Sequence, residues 1–225
     1  MDRPLSSAAL WRLDAVPSTE AYRALCINLE FAAVDRPLRS LLVASPAPEE
    51  GKSVAVANLA VAMADGDRSV ILVDADLRRP RQHELFGLSN ERGLSDLFRA
   101  GSAVDELPLQ SVPNTALRVL TSGPLPPIPG QLLAARRMDE VIAQLLEQAD
   151  SVLFDAPPVI AVTDASLLAS KVDGVLLVVR ANHTRRDHVR AAKDRLDKVN
   201  AWLVGSVLLD APFDRSMGGY YPEYR

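Results

Sequence analysis

Short apolar runs recur along the whole of this 225-residue chain, and segments with helical character separate them. Near-continuous apolar strands that alternate with helices are typical of a parallel sheet covered by helices on both faces. The sequence therefore predicts an α/β fold with a doubly wound, mainly parallel sheet flanked by helices. The predicted strands are residues 41–44, 70–73, 117–120, 152–154, 175–179 and 203–209, of which 117–120 has the weakest pattern.

Helical patterns lie before and between these strands. The first helix is predicted from Ser18 or Thr19 to about residue 33, the second covers residues 54–64, and the third follows Thr184 as its cap. The residues predicted to face inward from the first and third helices are Ala21, Leu25, Leu29 and Ala32, and Val189, Ala192, Leu196 and Val199, respectively.

Length and composition fit one globular domain. The net charge of −4 gives no broad attraction to nucleic acid, the apolar runs are too short to span a bilayer, and a single cysteine excludes an internal disulfide. We expect one domain over residues 1–216, a flexible tail over residues 217–225, and a cytoplasmic location. Within the domain, residues 80–130 are less regular and are predicted as short helices and loops packed on one side of the sheet.

The first predicted strand leads into Gly51-Lys52-Ser53, and a helix follows. At such a turn, glycine lets the backbone approach a phosphate chain, lysine reaches the β- and γ-phosphates, and serine supplies a hydroxyl to Mg²⁺. The strict phosphate-loop pattern is incomplete, because Pro46 stands where its first glycine belongs. The strand–turn–helix context nevertheless predicts a phosphate-loop NTPase that uses a nucleoside triphosphate.

Carboxylates follow two other predicted strands. Asp74 and Asp76 flank Ala75 just past the second strand, and Asp155 ends the fourth. Ligands of parallel sheets bind beyond the carboxyl ends of the strands, so we expect these side chains to lie near Lys52. A solvated turn capped by an aspartate is the alternative for Asp74 and Asp76. Convergence of three carboxylates favours a site for metal binding and proton transfer.

The tail contains Tyr220, Tyr221 and Tyr224 within its last six residues. Such a tail either docks through aromatic contacts, has no role, or presents phenolic hydroxyls to the triphosphate site. In the third case the tyrosines are phosphoryl acceptors.

The phosphate loop, VILVDADLRRP, DAPPVIAVTDA and the tyrosine-rich end together resemble the bacterial tyrosine kinases of capsule and exopolysaccharide synthesis. These kinases are a branch of the phosphate-loop ATPases related to the partitioning and cell-division ATPases. The resemblance covers nearly the whole chain, including the front motif at residues 20–25. It implies an ATP-dependent protein-tyrosine autokinase that regulates polysaccharide synthesis and export.

The resemblance also implies a role for each site residue. Asp74 acts as the base on a tyrosine hydroxyl, with Lys52 and Asp76 as the other catalytic residues. Ser53, Asp76 and Asp155 hold Mg²⁺, and the tail tyrosines are autophosphorylated. The residues implied to bind ATP are Glu50, Gly51, Lys52, Ser53, Val54 and Arg180.

The implied partners are other copies of the chain, assembled into a ring, and a membrane adaptor of the polysaccharide chain-length-regulator type. The protein is then peripheral to the inner face of the plasma membrane through the adaptor. Nucleic acid is not expected as a partner.

Three positions depart from the family pattern. Glu49 replaces a glycine, Cys26 replaces the second arginine of an assembly motif, and Leu209 replaces an asparagine that contacts adenine. These departures motivate one alternative, a scaffold of the same assembly that has lost catalysis. Another alternative is a partitioning-type ATPase switch, although Ala47 stands where such proteins carry a second lysine.

Overall fold

The computed structural model describes residues 16–65, 68–99 and 106–211, with side chains from residue 20 onward. The tail at residues 217–225, with its three tyrosines, lies outside the described residues. The proposed domain boundary at residue 216 lies outside them as well. Within the three described stretches, no helix has the length and apolar character needed to cross a bilayer.

Seven helices and seven strands are arranged along the described chain. The helices are α1 (Val16–Ala32), α2 (Lys52–Met63), α3 (Gln82–Phe86), α4 (Pro129–Ala134), α5 (Arg136–Gln148), α6 (Asp164–Ala169) and α7 (Arg186–Asp197), with a 3-10 turn at Leu94–Phe98. The strands are β1 (Ser40–Ala44), β2 (Val70–Asp74), β3 (Gln110–Ser111), β4 (Leu117–Leu120), β5 (Ser151–Asp155), β6 (Gly174–Arg180) and β7 (Leu203–Leu209).

The strands form one sheet in the order β3-β4-β2-β5-β1-β6-β7. Every neighbouring pair is parallel except β3 and β4. The predicted doubly wound, mainly parallel sheet is confirmed, and so are its six strands. The antiparallel edge strand β3 was not predicted, because a two-residue strand carries no readable hydrophobic period.

Each central strand divides its side chains between two hydrophobic cores, as the two-residue period of a strand requires. In β1, Leu41 and Val43 pack on the side of α1 and α2, whereas Leu42 and Ala44 pack on the side of α5, α6 and α7. Both faces of the sheet are therefore buried, and this is why the strands read as continuous apolar runs.

Two helix predictions need correction, and one helix was not predicted. The inward side of α1 consists of Tyr22, Leu25, Cys26 and Leu29, and the predicted inward residue Ala21 is exposed. Thr184 does not cap α7, since its hydroxyl accepts a hydrogen bond from the backbone N–H of Arg180. Helix α5 was missed, although its buried side chains recur at the spacing of a helical face; they are Met138, Val141, Ile142 and Leu145.

Candidate active site

The loop between β1 and α2 is braced by its own side chains. The hydroxyl of Ser45 donates to the carbonyl of Ala47 at 2.7 Å, and the N–H of Ala47 donates to Oε2 of Glu50 at 2.9 Å. The Glu50 residue is only 1% exposed. It was predicted to bind nucleotide, and in this structure its carboxylate holds the shape of the loop.

Two residues of this loop have left-handed backbone conformations, with φ of 63° at Glu49 and 83° at Gly51. The φ of Gly51 favours glycine, and a Cβ there would also lie 2.9 Å from Leu209 Cδ1, so that the leucine side chain would have to shift. Glu49 is exposed and carries a Cβ in a conformation that costs about 1–2 kcal/mol for an L-residue.

The first residue of α2, Lys52, is the centre of a buried charge cluster. Its Nζ donates to Asp76 Oδ2 at 2.8 Å, to Asp155 Oδ1 at 3.0 Å and to Ser53 Oγ at 3.1 Å. The Lys52 side chain is 10% exposed and that of Asp155 is fully buried. The structure thus brings together the lysine, the serine and two of the carboxylates that the sequence assigns to one site.

Asp74 completes the cluster from the adjacent strand, where it is in register with Asp155. Its Oδ2 accepts hydrogen bonds from the backbone N–H groups of Arg81 and Gln82 at 2.9 and 2.8 Å. Its Oδ1 is buried and has no hydrogen-bond partner among the described residues. One carboxylate oxygen at the centre of the sheet is therefore left to accept a proton or a hydrogen bond.

The charges of this cluster shift its protonation. Burial and the charge of Asp155 raise the pKa of Asp74 to about 8, against the opposing hydrogen bond from Gln82. Burial alone would lower the pKa of Lys52, but the charges of Asp155 and Asp76 outweigh it and raise that pKa. Lys52 therefore stays protonated at neutral pH, while Asp74 titrates at a pH of about 8.

Sequence reasoning missed two contributors. The Gln82 side chain is buried at the start of α3 and donates to Asp155 Oδ2 at 2.7 Å. Arg78 donates through Nε and Nη2 to the buried carboxylate of Asp164, at 2.8 and 3.1 Å. Both residues follow Asp76 closely in the chain. Their position just after a strand end was the sequence feature that could have placed them at the site.

A cavity of about 430 Å³ opens above the cluster. Lys52 and Asp76 line its floor, and Arg78, Arg79 and Arg81 contribute to its wall. Of the residues predicted to bind ATP, all those in the segment from residue 50 to residue 54 line this cavity. Arg180 does not, because it lies at the end of β6 with its Nε donating to Asp210 at 2.6 Å.

The charge cluster, of which Ser53 and Asp76 line the cavity and Asp155 lies buried beside them, fits a magnesium–nucleotide complex. Ser53, Asp76 and Asp155 offer hard oxygen ligands, and the two carboxylates already share one cation, the Lys52 ammonium. In the described stretches, no three His, Cys, Asp or Glu side chains are grouped as a metal site. Magnesium in proteins uses one or two carboxylates and completes its octahedron with phosphate oxygens and water.

Comparison with known proteins identifies the fold family. The family model for the CobQ/CobB/MinD/ParA nucleotide binding domain matches residues 41–205. That range runs from the first core strand to the last, so it includes the loop, the charge cluster and the cavity wall. The chain therefore carries a nucleotide-binding domain.

Individual proteins similar to this one match almost the entire chain. The tyrosine-protein kinase YwqD of Bacillus subtilis is 38% identical over 91% of this chain and 86% of its own length. The putative tyrosine-protein kinase CapB of Staphylococcus aureus is 34% identical over 90% of this chain and 89% of its own. The crystal structure of the chimerical protein CapA2B2 superposes with a TM-score of 0.85 at 36% identity, covering 93% of this chain and 92% of that one. The chain belongs to the bacterial tyrosine-protein kinases, a family built on the CobQ/CobB/MinD/ParA nucleotide-binding domain.

Proposed function

We propose that this protein is an ATP-dependent protein-tyrosine kinase that phosphorylates its own C-terminal tyrosines and regulates polysaccharide synthesis and export. One observation carries the proposal. A buried lysine at the start of the phosphate-loop helix lies within hydrogen-bond distance of Asp76 and Asp155, and Asp155 is in register with Asp74. Phosphoryl transfer needs a cation for the phosphates, oxygen ligands for magnesium and a carboxylate for the acceptor hydroxyl, and all three are present.

In this mechanism Lys52 leaves the two carboxylates and binds the β- and γ-phosphates of ATP. Ser53, Asp76 and Asp155 would hold Mg²⁺, which would neutralise charge on the transferring phosphoryl group. Arg79 at the cavity supplies further positive charge toward the triphosphate, whereas Arg78 and Arg81 are paired with Asp164 and Glu84. Asp76 is kept in position by the backbone N–H of Arg79, which donates to its Oδ1 at 3.1 Å.

Asp74 is proposed as the general base. Its unpaired Oδ1 accepts the proton of the tyrosine hydroxyl as the oxygen attacks the γ-phosphorus, whose bond to the β,γ-bridging oxygen breaks so that ADP leaves. A base works best when its pKa is near the working pH, and burial brings the pKa of Asp74 to about 8. An ordinary exposed aspartate would be a far weaker acceptor for a phenolic proton.

The proposed partners are a second copy of the chain and a membrane adaptor of the chain-length-regulator type, which holds the kinase at the inner face of the plasma membrane. Helix α1 supports a subunit contact, because Ile27 and Phe31 lie one turn apart and are 51% and 73% exposed. Cys26 instead packs toward the core beside Leu25 and Leu29. The contact would therefore depend on Ile27, Phe31 and the exposed Glu20–Arg23 pair.

The test is incubation with ATP and Mg²⁺, in the presence of the cognate adaptor, followed by mass spectrometry of the tail. Phosphate is expected on Tyr220, Tyr221 and Tyr224. Lys52→Met should abolish the signal, and Lys171→Met, which removes a lysine that lies outside the cavity and pairs with the half-exposed Asp139, should preserve it. Unmodified tail tyrosines in the wild-type protein would refute the kinase function.

The left-handed backbone at Glu49 favours one other candidate, a scaffold that has lost catalysis. A carboxylate on the rim of the cavity opposes the charge of a triphosphate. Titration calorimetry with Mg–ATP separates the two functions. Measurable binding supports the kinase, and no binding leaves the scaffold.

A further inference from the structure

Gln82 touches three segments of the active site at once. Its Nε2 donates to Asp155 Oδ2 at 2.7 Å and to the carbonyl of Ser53 at 3.1 Å. Its backbone N–H donates to Asp74 Oδ2 at 2.8 Å, and the residue is fully buried. We propose that Gln82 is a positioning residue that fixes Asp155 for the divalent cation. This inference rests on the proposed function and deepens it.

The orientation of the amide is determined by its surroundings. A carboxylate oxygen of Asp155 and the backbone carbonyl of Ser53 both accept hydrogen bonds and cannot donate them. The NH₂ group of Gln82 must therefore face these two oxygens. Oε1 then points to the other side, where it is buried and has no hydrogen-bond partner among the described residues.

The two oxygens of Asp155 are divided between two donors. Oδ1 accepts from Lys52 at 3.0 Å, and Oδ2 accepts from Gln82. When Lys52 moves to the phosphates, it frees Oδ1 alone. Gln82 keeps its hold on Oδ2, so the carboxylate cannot rotate, and Oδ1 stays directed toward the position that the ammonium occupied.

The unpaired Oε1 of Gln82 supports a role in cation binding beyond packing. An apolar residue of the same volume would fill this position without burying an unsatisfied acceptor. The amide is therefore retained for its donor side, which holds Asp155 and the carbonyl of Ser53.

The test measures how ADP binding depends on Mg²⁺ in the full-length protein. Titration calorimetry with ADP at a series of Mg²⁺ concentrations gives the Mg²⁺ midpoint and the affinity without metal. Gln82→Met and Gln82→Leu preserve volume and remove the amide. We expect the Mg²⁺ midpoint to rise about tenfold or more, as for other residues that orient metal ligands, with metal-free ADP affinity unchanged.

Gln110→Met is the matched control. Gln110 also makes two backbone hydrogen bonds, both to Ser89, at the far edge of the sheet. This variant should lower the melting temperature without moving the Mg²⁺ midpoint. A wild-type midpoint in both Gln82 variants, or an equal loss of ADP affinity with and without metal, would overturn the inference.

A measurement on the wild-type protein covers the case in which both Gln82 variants fail to fold. The side-chain amide protons of Gln82, followed by NMR, should stay protected from exchange when Mg–ADP binds, because the bond to Asp155 persists. Fast exchange in the complex would overturn the inference. Wild-type protein that binds no Mg–ADP would refute the proposed function. Protein that binds Mg–ADP but shows fast amide exchange would overturn this inference alone.

Discussion

Carboxylates lie at both ends of the central strands, and their hydrogen bonding differs between the amino ends (the amino edge) and the carboxyl ends (the carboxyl edge). At the amino edge, Asp173 Oδ2 accepts hydrogen bonds from the N–H and hydroxyl of Ser40 and from the N–H of Arg39, at 2.8–2.9 Å. Asp150 Oδ2 likewise accepts from the N–H and hydroxyl of Ser69. These hydrogen bonds lower the pKa of Asp150.

At the carboxyl edge, Asp74 and Asp155 are fully buried, and Asp155 shares the single ammonium of Lys52 with Asp76. Asp74 retains an unpaired oxygen and has its pKa raised to about 8. The amino edge thus uses carboxylates to join strands, and its hydrogen bonds are satisfied within the protein. The carboxyl edge leaves negative charge undercompensated, and this is the condition for binding a cation and taking up a proton.

The largest effect that tests this contrast is expected from Lys52→Met. Asp76 and Asp155 would lose their buried cation, so the free energy of unfolding at pH 8 should fall by about 3–5 kcal/mol. Chemical denaturation measures the change. Lys171→Met is the control, and because Asp139 is half exposed, its cost should stay below about 1 kcal/mol. Equal losses in the two variants would show that the edges do not differ.

Asp74→Asn should separate stability from activity. A carboxyl group whose pKa rises from 3.8 to about 8 on folding binds its proton more tightly in the native state. Without nucleotide, the free energy of unfolding therefore decreases as the pH rises from about 4 to 8. The decrease is on the order of a few kcal/mol. Asparagine keeps the accepting oxygen and removes the titration.

The Asp74→Asn variant is therefore expected to melt at a higher temperature than wild type at pH 8, to match it more closely at pH 5, and to lose tyrosine phosphorylation. Thermal unfolding across this pH range provides the measurement. A variant that is less stable than wild type at pH 8 would contradict the assigned protonation.

Asp173→Ala tests the amino edge. It removes the acceptor for the backbone N–H groups of Arg39 and Ser40; Ser40 is buried, and an unpaired buried donor costs about 1–3 kcal/mol. Mg–ADP affinity should not change, because the site is at the opposite ends of the strands. Asp194→Ala, on the exposed side of α7, is the neutral control. Weaker nucleotide binding in Asp173→Ala would show that the edges are coupled.

The smallest effect is expected from Glu49→Gly. Glycine accepts the left-handed backbone at φ of 63° without strain, so the free energy of unfolding should rise by about 0.5–1 kcal/mol. The removed carboxylate should also strengthen Mg–ATP binding. Glu91→Gly is the matched control, because Glu91 is exposed and has no left-handed backbone, and it should bring no gain. Calorimetry and denaturation measure both effects.

The core strands were predictable because burial on both faces makes each of them a continuous apolar run, as in β1, β2 and β5. The convergence of Lys52 with Asp155 was also predictable, since parallel strands bring their carboxyl ends to one edge. Short elements such as β3 and α6 were not, because their few residues carry no period. Gln82 was missed because its role arises from two oxygens distant in sequence, on Asp155 and Ser53.

The central claim is that a divalent metal ion replaces the Lys52 ammonium beside Asp76 and Asp155 when nucleotide binds. A crystal structure with ADP and Mn²⁺ tests it most directly, because manganese is located by its anomalous scattering. The account predicts a manganese peak beside Ser53 Oγ and the carboxylates of Asp76 or Asp155, with Lys52 Nζ moved from both carboxylates to the phosphates. Manganese bound elsewhere, or Lys52 still bridging Asp76 and Asp155 in the complex, would contradict it.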